Sequence, residues 1–444
     1  MINAESRQNA KTIIAAACIG NFLEFYNFMA FAFFAPMIGH AFFPSGNHLA
    51  SLLYSLMTFA VGFFVRPVGA AVVGAYARQR GQRAALMLTF ALMGAGSLLL
   101  AATPSSEKIG LLAPALIIFG RMLQGFSDGG EVGPATALIF DAAPEGLGGI
   151  LGVMQYMTQL LGSLVAVVLG LTLSLTLSHD ALYSWGWRVP FFCGLAIVPV
   201  GVLLRRRAIA FDHAAPLRPE IEKTDRAILR RAVPLVFLSI TSGTITTYLR
   251  NFGVSYAVSV LHLSPAVGMT GMAAGLLTGS AALIASMKIA ARSIDPRPFV
   301  IVVGLFTAVV SVPLYYFAIH SPGLTSQLLL NVAMFGLSSL VNACIWQVVL
   351  EALPARSRSF VFGLVYALAV SSFGGLTQPF ITWLVVVTGD PVVPGYLMAL
   401  AVLLGLIPYL YLYAMARGAS VRNHMAAGSS SSLKTMKEEQ IMAR

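Results

Sequence analysis

Long apolar runs divide this chain from one end to the other, and they limit its fold more than any other feature. Twelve such runs can be drawn, each about 20 to 30 residues long, which lets a helix cross roughly 30 Å of hydrocarbon. Lipid offers a backbone group no hydrogen-bond partner, so spans of this kind must be helices. The chain is 57% hydrophobic and 10% charged, whereas soluble domains carry about a quarter charged residues. The sequence therefore predicts an all-α, multi-pass protein of the lipid bilayer.

The predicted spans form two groups of six. They cover residues 13–39, 49–76, 84–103, 111–141, 149–177, 187–204, 232–260, 266–290, 298–320, 324–351, 359–388 and 394–416. We predict an N-terminal half, a cytoplasmic linker, a C-terminal half and a disordered cytoplasmic tail, which cover 1–204, 205–231, 232–416 and 417–444. A weak repeat supports the halves, because FDAAPEGLGGILG in the first resembles LEALPARSRSFVFG in the second. Pseudo-symmetric six-helix halves are typical of transporters with a site near the midplane.

The placement of the basic residues predicts orientation rather than a nucleic-acid partner. The net charge is +11. Apart from Lys108 and four arginines inside apolar runs, the Lys and Arg residues fall in segments that alternate onto one side. This positive-inside pattern puts both termini in the cytoplasm. The three cysteines have no paired spacing, and no phosphate-binding loop or nucleophile motif occurs, so we expect no disulfide, metal, cofactor or enzyme activity.

Charged residues inside the first and fourth runs are the candidates for proton coupling. One helix face in the fourth run carries residues that recur every three or four positions, namely Arg121, Gln124, Asp128 and Glu131. Such charges usually face a bundle interior or a watery cavity. Arg121 could exchange carboxylate partners as protons bind, or it could form a permanent pair with Asp128 or Glu131. Glu24 in the first run is a further proton-carrying candidate, because a buried carboxyl can load and release protons near neutral pH.

Arg250 is the main substrate-binding candidate of the second half. It lies in mid-span with no acid at comparable depth in that half, so a substrate carboxylate or a first-half acid would pair with it. Further polar candidates for this site are Asn21, Asn27, Gln155, Gln159, Thr247, Asn251 and Asn342. Such side chains can bind a ligand, or they can only join neighbouring helices.

Several motifs resemble those of the major facilitator superfamily. GAYARQRGQR resembles its loop between the second and third helices, and FGRMLQGFSDGGEVG resembles its fourth-helix motif. GNFLEFYNF, FVRPVGA and SWGWRVPFF are similar to motifs of its metabolite:proton symporters. Among these, HDALYSWGWRVPFF and FGGLTQPFITWLVVVTGDP resemble bacterial citrate and tricarballylate carriers. The resemblance implies proton coupling through the Arg121 region. Two departures stand out, since that family usually has an acid at Asn27 and an aspartate at Arg78.

Together these patterns predict a twelve-helix secondary transporter of a bacterial inner membrane. We expect proton-coupled symport of a small organic anion, a di- or tricarboxylate such as citrate, by a monomer. Gate or structural roles are expected for Arg66, Arg78, Arg83, Asp141, Glu351 and Arg358. An exporter, or a symporter of a zwitterion such as an amino acid or betaine, is the alternative, and a non-transporting sensor is a more remote one. The exact substrate, its direction and the proton stoichiometry are left open.

Overall fold

The computed structural model describes residues 4–141, 148–199, 223–292, 295–354 and 357–442. Regular structure in these ranges is entirely helical. The helices are α1 (Ala4–Phe33), α2 (Ala35–Phe42), α3 (His48–Arg80), α4 (Gln82–Ala102), α5 (Ser106–Ile109), α6 (Leu112–Asp141), α7 (Gly148–Thr176), α8 (His179–Ser184), α9 (Val189–Gly194), α10 (Lys223–Asn251), α11 (Gly253–Ser259), α12 (Pro265–Ala290), α13 (Arg297–His320), α14 (Leu324–Glu351), α15 (Arg358–Ala369), α16 (Gly375–Thr388) and α17 (Val393–Met442). A 3₁₀ turn, Gly186–Arg188, precedes α9, and a π-helical stretch, Val370–Gly374, joins α15 to α16.

The helices confirm the predicted fold class. Each predicted span overlaps a helix or a broken helix pair within the described residues. In this part of the chain, 8 helices are long and apolar enough to cross a membrane, or 9 when α1 and α2 count as one bent span. The bend between α1 and α2 is 62°. Pro36 lies in the first turn of α2, where its missing N–H and fixed backbone angle favour a new helix start.

Two predicted boundaries differ from the structure. Residues 205–222 of the predicted linker lie outside the described part, whereas Lys223 to Arg231 form the first turns of α10. The predicted disordered tail is instead helical, because α17 continues without a break to Met442. Ala, Met, Lys and Glu recur along this tail, and all of them favour a helix. The predicted span ended near residue 416 because the sequence after it is less hydrophobic. A fall in hydrophobicity marks the end of a membrane span, but a helix can continue beyond it.

The two halves meet along several helix pairs. From the first half, α3 packs against α16, α7 against α12 and α6 against α15. One large apolar core includes residues from both halves, among them Phe59 and Phe63 of α3 and Tyr248 of α10. The rings of Tyr248 and Phe63 pack edge to face, with 5.4 Å between their centroids. This shared core lies beside the charged residues described below.

Glycines bring α3 and α6 into backbone contact. A Cβ added to Gly125 would overlap the carbonyl oxygen of Gly62, and one added to Gly129 would overlap the carbonyl of Arg66. A Cβ at Gly69 would overlap the carbonyl of Phe126 in the same way. Small residues at such crossings let membrane helices approach closely. The close approach of Gly129 is what holds Arg66 beside the adjacent residue of α6, Asp128.

We predict that Gly69→Ala destabilises the protein and that Gly74→Ala, on the same helix, does not. The added methyl at Gly69 meets backbone, so the two helices must separate, and overpacking of this kind costs about 1–3 kcal/mol. The Cβ at Gly74 meets nothing within 4 Å, and alanine is the better helix former. Thermal unfolding in detergent measures both. Equal unfolding midpoints for the two variants would contradict the contact.

Candidate functional site

A buried ion pair joins α3 and α6. Arg66 and Asp128 form a salt bridge, with side-chain exposures of 12% and 4%. The Arg66 guanidinium also lies over two rings, 4.3 Å from the centroid of Phe63 and 4.8 Å from that of Phe28. The rings exclude water and attract the cation through their π faces. The other salt bridges among the described residues involve more exposed side chains. Arg66 was expected to have a structural or gate role.

Arg121 has a different environment from the one expected. Its side chain is completely buried, and its guanidinium lies 4.5, 4.7 and 4.9 Å from the ring centroids of Phe28, Phe31 and Phe59. Its Nη1 donates to Oε1 of Gln124 at 2.7 Å, while Nε and Nη2 have no hydrogen-bond partner. Among the described side chains no carboxylate lies within ion-pair distance of Arg121. Asp128 pairs with Arg66 instead, because α3 is in backbone contact with that turn of α6.

Glu24 lies in the same buried region. The residue is 4% exposed, and its Oε1 has no hydrogen-bond partner. Arg66 is its oppositely charged neighbour. Glu131 lies on α6, but its side chain is outside the described part of the chain. The described charges of this region are thus two arginines and two acids, which balance when both acids are ionised.

A cavity of about 170 Å³ lies between the halves and extends into the second half. Five predicted substrate-binding residues contribute to its wall: Gln155, Gln159, Thr247, Arg250 and Asn342. The other three do not line it. Asn21 donates to the carbonyl of Gln155 at 2.9 Å and to Thr158 Oγ1 at 2.6 Å, which joins α1 to α7. Asn27 faces the interior of the first half, and Asn251 is buried outside the cavity wall.

Arg250 lines the cavity, and one nitrogen of its guanidinium has no hydrogen-bond partner. Its Nε donates to the carbonyl of Thr246 at 3.1 Å, and its Nη2 donates to Thr247 Oγ1 at 3.1 Å. Nη2 also donates to the hydroxyl of Tyr156, across the two halves, at 2.9 Å. Its Nη1 has no partner, and the guanidinium lies 4.7 Å from the Phe335 ring. All its described partners are neutral, so the described contacts of Arg250 do not include a first-half acid, which was one of the two alternative partners.

Tyr156 is the residue that sequence reasoning missed. It supplies the contact between Arg250 and the first half, and it lines the cavity together with Trp346 and Tyr366. Tyr366 also forms a hydrogen bond with Gln159. A signal for Tyr156 was present in the sequence, because it lies on α7 between Gln155 and Gln159, two predicted substrate-binding residues.

The expected gate residues whose side chains are described do not line the cavity. Glu351 is exposed and accepts a hydrogen bond from Gln347 at 2.9 Å. Arg358 donates to the carbonyl of Leu353 from Nε at 3.2 Å and from Nη2 at 3.0 Å, which closes the turn before α15. Arg78, Arg83 and Asp141 lie in helices, but their side chains are outside the described part.

Comparison with known proteins agrees with this architecture. Residues 13–205 match the family described as "Sugar (and other) transporter". The chain is 33% identical to the citrate-proton symporter of Salmonella typhi over 413 residues, which covers 91% of this chain and 94% of that protein. It is 30% identical to the alpha-ketoglutarate permease of Escherichia coli (strain K12) over 395 residues, with 85% and 88% covered.

The similar solved structures support the fold. A D-xylose-proton symporter superposes with a TM-score of 0.67 at 14% identity, covering 90% of this chain and 97% of that one. The fucose:proton symporter of E. coli gives a TM-score of 0.57 at 15% identity, with 90% and 98% covered.

Two-half helical architecture, a cavity between the halves and buried charges define a secondary transporter of the major facilitator type. The chain belongs to the major facilitator superfamily, within its metabolite:proton symporter family.

We predict that Asp128→Asn destabilises the protein more than the double variant Arg66→Gln/Asp128→Asn does. The single change leaves the Arg66 charge buried without its partner, and such a loss costs about 3–5 kcal/mol. The double change removes both charges. A double-mutant cycle on thermal unfolding measures the coupling, and additive effects would show that the two residues are not energetically paired.

Proposed function

We propose that this chain is a proton-coupled symporter that carries a small organic anion, a di- or tricarboxylate such as citrate, across a bacterial inner membrane. One observation carries the proposal: the Arg250 guanidinium lies at the wall of the inter-half cavity with Nη1 unpaired. A relative that covers most of the chain is named a citrate-proton symporter, which supports both the anion and the proton.

The cavity favours a carboxylate through its charge and its donors. Arg250 is the cation of the described wall, and that wall contains no Asp or Glu. A carboxylate can accept from Nη1 of Arg250 and from a second donor at once, which is the geometry guanidinium favours. Gln155, Gln159 and Asn342 offer amides for further carboxyl or hydroxyl groups of the substrate. The described wall offers no Asp or Glu to pair with the ammonium group of an amino acid or betaine.

The proton is assigned to the buried acids of the first half, Asp128 and Glu24, with Glu131 a third candidate from its place on α6. When Asp128 takes a proton, its attraction to Arg66 falls, and the Arg66 guanidinium is freed from α6. Because the described charges of the region balance when both acids are ionised, a bound proton leaves it positive. That positive charge favours an anion in the neighbouring cavity.

Aromatic side chains provide a contact path from the ion pair to the cavity. Phe63 lies under the Arg66 guanidinium, and its ring packs against Tyr248, which lines the cavity. Cβ atoms at Gly374 and Gly375, where the π-helical stretch meets α16, would press against Phe63. We propose that loss of the Arg66–Asp128 pair lets Phe63 move against these glycines. The halves would then rock about the cavity and give alternating access.

The termini and the inner gate lie on the cytoplasmic side in this proposal. The basic segments place both termini there, and α15 with Arg358 and Glu351 then lies at the inner gate. Arg78, Arg83 and Asp141 would belong to the same gate region. The transporter works as a monomer with the anion and protons as its small-molecule partners.

Uptake into proteoliposomes tests the transport reaction itself. Labelled citrate, 2-oxoglutarate and proline are offered with and without a proton gradient, acid outside. We expect the gradient to drive accumulation of a carboxylate and not of proline. The unpaired Nη1 of Arg250 can bind a carboxylate, whereas the described wall has no acid for the ammonium group of proline. Carboxylate uptake that ignores the gradient would contradict proton coupling, and proline accumulation would favour the zwitterion alternative.

We predict that Arg250→Gln raises the KM for the carboxylate at least about tenfold, the effect of losing a charge-assisted hydrogen bond of about 1.5–3 kcal/mol. Arg188→Gln is the matched control, since Arg188 binds the main-chain carbonyls of Ser184 and Thr103 away from the cavity. Tyr156→Phe should raise KM less, because Arg250 keeps its charge. An unchanged KM in a folded Arg250→Gln protein would remove Arg250 from the substrate site.

A further inference from the structure

Four buried side chains form a continuous hydrogen-bonded chain through the first half. Arg121 Nη1 donates to Gln124 Oε1 at 2.7 Å, and Gln124 Nε2 donates to Ser97 Oγ at 3.0 Å. Ser97 Oγ then donates to Asn27 Oδ1 at 3.0 Å. Asn27 Nδ2 donates to the carbonyls of Leu23 at 3.1 Å and Gly194 at 3.3 Å. The chain links α6, α4, α1 and α9.

The direction of every hydrogen bond in this chain is fixed by its two ends. A guanidinium only donates, and a main-chain carbonyl only accepts. The Gln124 oxygen must therefore face Arg121, and the Asn27 amide nitrogen must face the carbonyls of Leu23 and Gly194. The hydroxyl of Ser97 has to accept from Gln124 and donate to Asn27. Each side chain thus has one orientation that satisfies its neighbours, which makes the chain a rigid link.

The packing around the chain is shaped to fit it. A Cβ at Gly194 would overlap the side-chain oxygen Oδ1 of Asn27, and a Cβ at Gly96 would lie 2.7 Å from Cγ of Gln124. The four side chains are at most 1% exposed, so water does not compete for these hydrogen bonds. Both amides need the space that glycine leaves on a neighbouring helix.

We propose that Asn27 is a positioning residue for Arg121. The guanidinium has no carboxylate partner among the described side chains, and Gln124 is its hydrogen-bonding partner there. Asn27 fixes Ser97, Ser97 fixes Gln124, and Gln124 holds the guanidinium among Phe28, Phe31 and Phe59. Arg121 is held in place without a permanent ion pair and stays available to a carboxylate when the proton moves. The inference rests on the proposed proton coupling, because it assigns Asn27 a part in that step and no contact with substrate.

The central variant is Asn27→Asp, which has the same shape with one nitrogen replaced by oxygen. When the introduced carboxyl group is protonated, it can still donate to the Gly194 carbonyl and accept from Ser97. When it is ionised, it only accepts, and it would face two carbonyl oxygens. Wild-type transport is also expected to vary with pH through Glu24 and Asp128, and Arg121 is the cation of this hydrogen-bonded chain. The variant is therefore compared with the wild type at each pH.

The experiment measures proton-driven carboxylate uptake and carboxylate exchange without a gradient, in the same proteoliposomes. Asn27→Ala and Ser97→Ala should lose about ten- to hundredfold of driven uptake, as expected for a misplaced group. Their exchange and KM should stay within about twofold of wild type, because the four side chains do not line the cavity. The ratio of Asn27→Asp uptake to wild-type uptake should fall as pH rises.

Ser127→Ala is the matched control. Ser127 on α6 donates to the Thr89 carbonyl of α4 at 2.7 Å, so the substitution removes a buried α6–α4 hydrogen bond outside the chain. The proposal is overturned if Asn27→Ala and Ser97→Ala behave like Ser127→Ala, or if the Asn27→Asp ratio does not change with pH. A wild type that moves no carboxylate would refute the proposed function instead, so the two failures are distinguishable.

Discussion

The salt bridge between Arg66 and Asp128 is the interaction on which the first half depends. A charge inside a bilayer is costly, and it persists only when it is paired or faces a polar cavity. Here the backbones of α3 and α6 touch at glycines, which sets the two side chains in contact, and phenylalanine rings exclude water around them. Phe28 lies beside both guanidinium groups and packs against Phe59 and Phe63, so one aromatic cluster contacts both arginines. Stability and the proposed proton handling therefore involve the same residues.

The charges are divided between the halves in an unequal way. Within the described interior, the first half contributes two acids and two arginines around the salt bridge, whereas the second half contributes Arg250 to the cavity wall. Tyr156 and Tyr248 connect these parts across the interface, one by a hydrogen bond to Arg250 and the other by ring contacts with Phe63. In the proposed mechanism, neutral side chains lie between the acids that take the proton and the arginine that binds the anion. Coupling would then depend on packing changes at the interface as well as on direct attraction between these two groups of residues.

The sequence predicted the helices and much of the cavity, because both leave local signals. Apolar length predicts a span, and a lone arginine in mid-span predicts a need for an anion. Gln155 and Gln159 were found by their one-turn spacing. Which arginine pairs with Asp128 could not be predicted, since it depends on the crossing of α3 and α6 at their glycines. The hydrogen bonds of Asn27 could not be predicted for the same reason, because Ser97 and Gly194 lie on two other helices, α4 and α9. The helical tail after residue 416 was missed because apolar content marks the membrane rather than the end of a helix.

The most direct test of the account is simultaneous measurement of proton and carboxylate flux in proteoliposomes that contain the Asp128→Asn protein. Asparagine cannot take up the proton, so we predict that the variant still exchanges carboxylate across the membrane but no longer accumulates it with a proton gradient. Wild-type protein in the same assay should move both together. Gradient-driven accumulation by Asp128→Asn at the wild-type level would contradict the claim that the Arg66–Asp128 pair couples protons to transport.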